Sequence, residues 1–201
     1  MLSNHDRPRH VTRYGGGETG LRRARAAALL QLALPGAVYL YNGDELGLPN
    51  VDDLPEEVLQ DPVWERSGHT VRGRDGCRVP LPWSGGEPPY GFSSRSETWL
   101  PMPSGWAGLT VEAQAADPSS IQSLYRTALE LRSSSPSFAG QDLQWLPAPE
   151  GCLVFRRPGG LVCLLNVSAA PVPLPEGRVL LASADVSGGE VPMDTAVWLE
   201  A

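Results

Sequence analysis

The sequence contains no lysine: all 16 of its basic residues are arginine, set against 23 acidic residues for a net charge of −7. A chain of that balance, with no basic block, lacks the electrostatic footprint of a nucleic-acid or anionic-membrane binder, so neither is expected as a partner. Cysteine is scarce. Cys77, Cys152 and Cys163 are odd in number and have no Cys-x-x-Cys spacing, which excludes a disulfide framework and a zinc knuckle and fits unreactive thiols in a reducing compartment. No apolar run reaches the ~18 residues of a membrane span, and the N-terminus lacks the charged and apolar regions of a signal peptide. A cytoplasmic setting is the expectation. The histidines are only His5, His10 and His69; nothing places a metal between them, and no cofactor is expected.

What is present is a globular composition, 41% apolar and 19% charged over 201 residues, enough to bury a core but too short for a complete eight-fold α/β barrel. Glycine (22) and proline (20) imply many loops. The run Leu21 to Leu34, strong helix formers with three arginines at the front, ends at Pro35-Gly36 and predicts a helix. Ala37 to Tyr41 (AVYLY), closed by Asn42-Gly43-Asp44, predicts a buried strand, so the pair reads as an α/β unit. Gly43 to Asp117 holds four of the six tryptophans with little helical periodicity, which predicts an ordered excursion wrapped over a surface. Asp117-Pro118 predicts a helix start, with Ile121, Leu124, Tyr125, Ala128, Leu129 and Leu131 as its apolar face. After Pro136 come β-like runs at 142–146, 152–156, 161–166, 178–182 and 191–199, separated by turn signals. A domain boundary is therefore expected near 137, with a small antiparallel sheet or sandwich following it.

The densest polar cluster is Ser3-Asn4-His5-Asp6-Arg7-Pro8-Arg9-His10, ahead of Thr12-Arg13-Tyr14 and three glycines. Asn, His and Asp in succession, before a Gly-rich turn and a helix, suit a strand-end loop that carries functional groups. Taken alone, the tripeptide is equally a solvated tail. Asp44-Glu45 is a tempting carboxylate pair, but adjacent residues at a strand end point apart, so the two read as architecture. His10 and His69 read as surface or loop residues. A metallophosphoesterase reading of Asn4-His5-Asp6 fails, because a serine precedes the Asn and the remaining histidines are too few for two metals.

LSNHDRPRHVTRYG, a helix, and then PGAVYLYNGDELGLPN resemble the α-amylase superfamily (glycoside hydrolase family 13), in its α-glucosidase and oligo-1,6-glucosidase branch. RDGCRVPLPW (74–83), Glu97-Thr98-Trp99-Leu100-Pro101, Val111-Glu112-Ala113-Gln114, the helix after Asp117 and the closing β-rich stretch are similar to that branch in order and spacing. The resemblance implies an α/β plus all-β fold: the last two strand-helix units of a (β/α)8 barrel over 1–137, then a C-terminal antiparallel β-sandwich over 138–201. It implies retaining hydrolysis of short α-linked gluco-oligosaccharides by an Asp nucleophile and a Glu acid/base. A further His and Asp, here His5 and Asp6, would stabilise the transition state. Asn4, Arg9 and Arg78 are the implied substrate-binding residues, with Arg13 a further basic position. It also implies that the nucleophile and acid/base motifs lie N-terminal to Met1, so that these 201 residues are a fragment, inactive alone. The alternative is a remnant whose β module binds carbohydrate without catalysis or serves only structurally.

Overall fold

A computed structural model describes residues 1–200. The chain forms two compact units that interleave in sequence: unit 1 is Met1–Gly17 with Leu40–Ser123, and unit 2 is Glu18–Tyr39 with Leu124–Ala201.

Unit 1 is mostly irregular backbone. Its regular pieces are short: α1 (His10–Arg13), α3 (Pro62–Arg66) and α4 (Val111–Ala115). Order comes from a core of Leu46, Leu48, Val51, Leu54, Val79, Tyr90, Leu100, Met102 and Trp106, so the tryptophan-rich excursion is indeed ordered. Buried polar groups within it find partners, as burial requires. The Tyr90 hydroxyl donates to the Pro103 carbonyl at 2.9 Å and accepts from the Trp106 N–H at 3.1 Å. Gln114 Nε2 donates to the Leu46 carbonyl at 2.8 Å. Thr110 caps α4 by accepting from the Ala113 N–H at 3.1 Å.

Residues 37–41 are not the expected strand. They carry no ladder hydrogen bonds, and Tyr39 is 69% exposed. A parallel strand exists only between neighbours, and no strand of the described residues pairs with this segment.

Unit 2 holds the sheets and most of the two long helices, the second of which belongs to it from Leu124 onward. Helix α2 (Gly17–Ala33) starts four residues before the predicted Leu21, and all but Gly17 belongs to this unit. Arg22 and Arg23 bind the Asp194 carboxylate, each at 3.1 Å, and Arg25 Nε donates to the Ser183 carbonyl at 3.0 Å. The arginines at the front of this helix therefore anchor it to the β region. Helix α5 (Ile121–Ser134) begins later than predicted. Its cap is Ser120, whose Oγ accepts from the Ser123 N–H at 3.1 Å, whereas the Asp117 carboxylate is occupied in the preceding turn by the Ser119 N–H at 2.8 Å.

The β region is antiparallel throughout, as expected. Strands β1 (Gln144–Trp145), β2 (Cys152–Arg156), β3 (Leu161–Asn166), β5 (Arg178–Ala182) and β7 (Thr195–Glu200) form one sheet in the order β1-β2-β3-β7-β5. Strands β4 (Val172–Pro173) and β6 (Glu190–Val191) form a second. Val162, Leu164, Val197 and Leu199 pack with Val172 and Val191 between the two sheets. The alternate residues of β7 face the other way: Trp198, fully buried, donates from Nε1 to the Leu29 carbonyl at 3.1 Å and sits edge-on to Phe138, 4.9 Å between ring centres. Cover on both faces explains why β3 and β7 read as continuous apolar runs. The expected strand 191–199 breaks at Asp194, whose φ of 54° ends the extended backbone.

The cysteines are free. Burial pushes the Cys163 thiol up to about 12 and raises those of Cys77 and Cys152. Iodoacetamide at pH 8 is expected to label Cys152 first and to spare Cys163 in the folded chain, since only thiolate reacts. Labelling of Cys163 at the rate seen in urea would contradict this burial, with peptide mass mapping as the readout.

Candidate functional site

The N-terminal cluster and the 61–78 loop, both in unit 1, build one charged site. Asn4 turns the chain: its side-chain oxygen accepts from the Asp6 N–H at 2.8 Å, and this fixes the backbone that displays His5 and Asp6. Both side chains reach the surface, His5 at 70% and Asp6 at 49% exposure, with His5 Nε2 3.4 Å from Asp6 Oδ2. On its other side, Asp6 Oδ1 accepts from Arg74 at 2.7 Å and from Arg78 at 3.4 Å. Arg78 also donates from Nε to the His5 carbonyl at 2.9 Å. Asn4, His5, Asp6 and Arg78 are thus gathered in one place.

Behind them lies Asp61, with no exposed side-chain surface. It caps α3, accepting from the Val63 N–H at 3.1 Å, and accepts from the Arg74 backbone N–H at 3.0 Å and from its NH2 at 3.1 Å. It also accepts from Arg74 Nε. Gly73 makes this approach possible: its φ is +80°, and a Cβ there would lie 2.6 Å from the Asp61 Cβ. Hydrogen bonds from Arg74 hold the Asp61 carboxyl well below the ordinary carboxylate range, and Asp61 and Asp6 together raise the Arg74 guanidinium. Asp75 reinforces the loop, its Oδ2 accepting from the Gln60 and Asp61 N–H groups at 2.6 and 2.9 Å. Asp61 and Arg74 went unrecognised in the sequence. Arg74 lies inside the RDGCR segment, four residues before Arg78, and that spacing was the available signal.

Arg9 is placed elsewhere. It is 2% exposed, donates to the Asn42 carbonyl at 2.9 Å and lies 4.9 Å from the centre of the Tyr41 ring. Burial lowers its guanidinium from the ordinary value. The structure therefore does not bring it to the His5–Asp6 surface. Arg13 bonds the Pro8 and Leu2 carbonyls. His10 is buried rather than on the surface, with Nδ1 2.7 Å from Ser3 Oγ and 3.4 Å from Asp44 Oδ1. Asp44 is equally buried, and Glu45 folds back to accept from the Gly43 N–H at 2.8 Å. His69 stacks on Trp64 at 4.6 Å. Among the described residues no group of three His, Cys, Asp or Glu could hold a metal ion, and no helix is long and apolar enough to cross a membrane.

Residues 1–140, which carry the whole of this charged cluster, match the alpha amylase catalytic domain. The chain belongs to the α-amylase family. This family member is 37% identical over 184 residues to the "Probable alpha-glucosidase" of Rhizobium meliloti (strain 1021), a match covering 89% of the chain and 33% of that relative. It is 30% identical over 186 residues to the glucan 1,6-alpha-glucosidase of Streptococcus dysgalactiae subsp. equisimilis, covering 83% of the chain and 34% of the relative. Among solved structures it is similar to the alpha-glucosyl transfer enzyme XgtA, with 33% identity and a TM-score of 0.76 over 98% of this chain and 39% of that one. The chain spans about a third of the length of the curated relatives it matches.

Proposed function

We propose that these 201 residues supply the sugar-orienting part of an α-glucosidase-type site acting on short α-linked gluco-oligosaccharides. Residues 1–137 would derive from the final part of a (β/α)8 catalytic barrel and 138–201 would be the C-terminal β domain. The observation that carries this is the exposed His5–Asp6 pair with Asp6 pinned between two arginines. A carboxylate fixed by Arg74 and Arg78 needs little rearrangement to meet sugar hydroxyls, and its charge favours the positive character that a glycosyl ring develops as its bond breaks. His5 adds a second hydrogen-bonding group 3.4 Å away, and Asn4 and Arg78 hold the backbone of both. The relatives' names as α-glucosidases point to the same substrate class.

Retention needs two working carboxyls about 5–5.5 Å apart. Of the carboxylates gathered near Asp6, Asp61 has no exposed side chain and is committed to Arg74. By the family resemblance, the nucleophile and acid/base belong to other residues of a retaining enzyme, and we expect the 201-residue chain alone to be inactive. The purified chain is expected to release no nitrophenol from p-nitrophenyl α-glucoside above the blank. Turnover that Asp6→Asn abolishes would overturn the assignment. In a polypeptide that carries both catalytic carboxyls, Asp6→Asn is expected to lower kcat about 10²–10³-fold, the range for losing one preorganised electrostatic group.

A second reading rests on Trp145, 58% exposed on edge strand β1 and braced edge-on by Phe155 at 5.6 Å. An exposed indole on a rigid strand is a stacking platform for a sugar face, so the β module would bind carbohydrate without catalysis. Retention of the chain on an α-glucan affinity gel, lost in Trp145→Ala, favours this reading. No retention leaves the β module structural.

A further inference from the structure

Unit 2 holds one buried arginine and one half-buried arginine that its carboxylates do not balance. Arg157, just after β2, is 4% exposed; it donates from NH1 to the Ala33 carbonyl at 3.2 Å and from NH2 to the Phe138 and Gly140 carbonyls, the latter at 2.6 Å. Its Nε is buried with no partner. Arg132, near the end of α5, donates from NH1 to the Leu32 and Leu34 carbonyls, the latter at 2.7 Å, and from NH2 to the Gly36 carbonyl at 2.6 Å. The ion pairs of unit 2 among the described residues, Arg22 and Arg23 with Asp194 and Arg178 with Glu200, leave both out.

Carbonyl oxygens satisfy N–H geometry but bring only partial charge; the end of helix α2 offers roughly half a negative charge against two whole positive ones. Burial lowers both guanidinium groups, and Arg132 lowers Arg157 further, so the two cations repel each other without a counter-charge between them. A buried charge without a partner is costly, and a guanidinium's planar fork is suited to the oxygens of an anion. Both arginines line one cavity of about 400 Å³ together with Gly36, Ala37, Phe138 and Gln141. None of these lining residues is acidic.

We propose that this cavity is an oxyanion site, with Arg132 and Arg157 as its cationic walls and Arg157 Nε as the donor that no backbone group uses. The occupant is either a free phosphate- or sulfate-sized anion or a carboxylate side chain from another polypeptide segment. The site shares no residue with the His5–Asp6 cluster and does not depend on the reading of that cluster.

The experiment is thermal melting of the 201-residue chain in inorganic phosphate, at constant ionic strength made up with sodium chloride, beside Arg132→Gln and Gln141→Glu. A free-anion site gives a saturable rise, about 3–6 °C at ten times the Kd, that is lost in Arg132→Gln. In that case Gln141→Glu, which puts a carboxylate on the cavity wall, also abolishes the phosphate response. A site built for a side-chain carboxylate ignores phosphate, yet melts higher in Gln141→Glu, and adding Arg132→Gln removes that gain. A chain that phosphate does not stabilise beyond chloride, and that Gln141→Glu does not stabilise either, overturns the proposal. Because Gln141→Glu removes no native contact of either arginine, that arm remains readable even if Arg132→Gln fails to fold.

Discussion

Replacing Asp61 by asparagine is expected to cost the folded chain about 3 kcal/mol at pH 7. Removing one partner of a buried ion pair costs about 3–5 kcal/mol; Arg74 is 40% exposed and retains Asp6, which places this case at the low end. The asparagine would still cap α3 but would turn an amide N–H toward Arg74, where the native carboxylate accepts. The loss depends on pH with a definite sign. The folded Asp61 carboxyl sits below its ordinary value, held there chiefly by Arg74. Its contribution is therefore complete above the unfolded pKa of about 3.9 and disappears as pH falls from there toward the lower folded value. Urea midpoints of the native and Asp61→Asn chains should differ at pH 7, and the gap should narrow as pH falls below about 3.9 toward the lower folded value. Equal midpoints at pH 7 would show that Asp61 is not the anchor of this loop.

The second large effect is in unit 2. Trp198→Ala removes a fully buried indole together with its hydrogen bond to the Leu29 carbonyl and its edge contact with Phe138. Large aromatic to alanine substitutions in a core cost about 3–5 kcal/mol, because transfer and cavity terms add. The cost should fall at the high end here, since the Leu29 carbonyl loses its side-chain donor. Near-UV circular dichroism during urea unfolding measures it, and Trp198→Phe should recover part of the loss by refilling volume without the N–H. A loss below 1 kcal/mol in Trp198→Ala would mean that the sheet does not depend on this residue.

Much of unit 2 was legible from local pattern. Strands β2, β3 and β5 lie where their apolar runs predicted them, because an alternating or continuous apolar run between turn residues has few other uses. The two-residue strands β4 and β6 are too short to leave a pattern, and β6 was merged with β7 because nothing in Pro192-Met193-Asp194 marks the positive φ of Asp194. The segment 37–41 was misread for a different reason: its composition is that of a strand, but strandness is a property of a pair. Ser120 took the capping role expected of Asp117 because both have suitable oxygens and the helix simply starts three residues later. In the candidate site, the Asn4-His5-Asp6 triplet was visible as a polar cluster. Its support was not: Asp61 and Arg74 are 13 residues apart and Arg74 and Asp6 are 68 apart, distances over which spacing carries no information. His10 and Arg9 illustrate the converse, polar residues in an apparently solvated stretch that the fold buries.

The interleaving of the two units has a consequence for synthesis of the chain. Helix α2 leaves the ribosome before the sheet does, because the Trp198 indole that covers its Leu29 carbonyl is made 169 residues later. At about 5–20 residues per second, roughly 8–34 s pass during which the helix has no sheet to lie on. Its buried alanine and leucine face must be shielded during that interval by other means. No single cut in the chain divides the two units either, since the backbone passes between them after Gly17, after Tyr39 and after Ser123. A protease nick at one such crossing should leave both halves of the polypeptide associated until denaturant separates them.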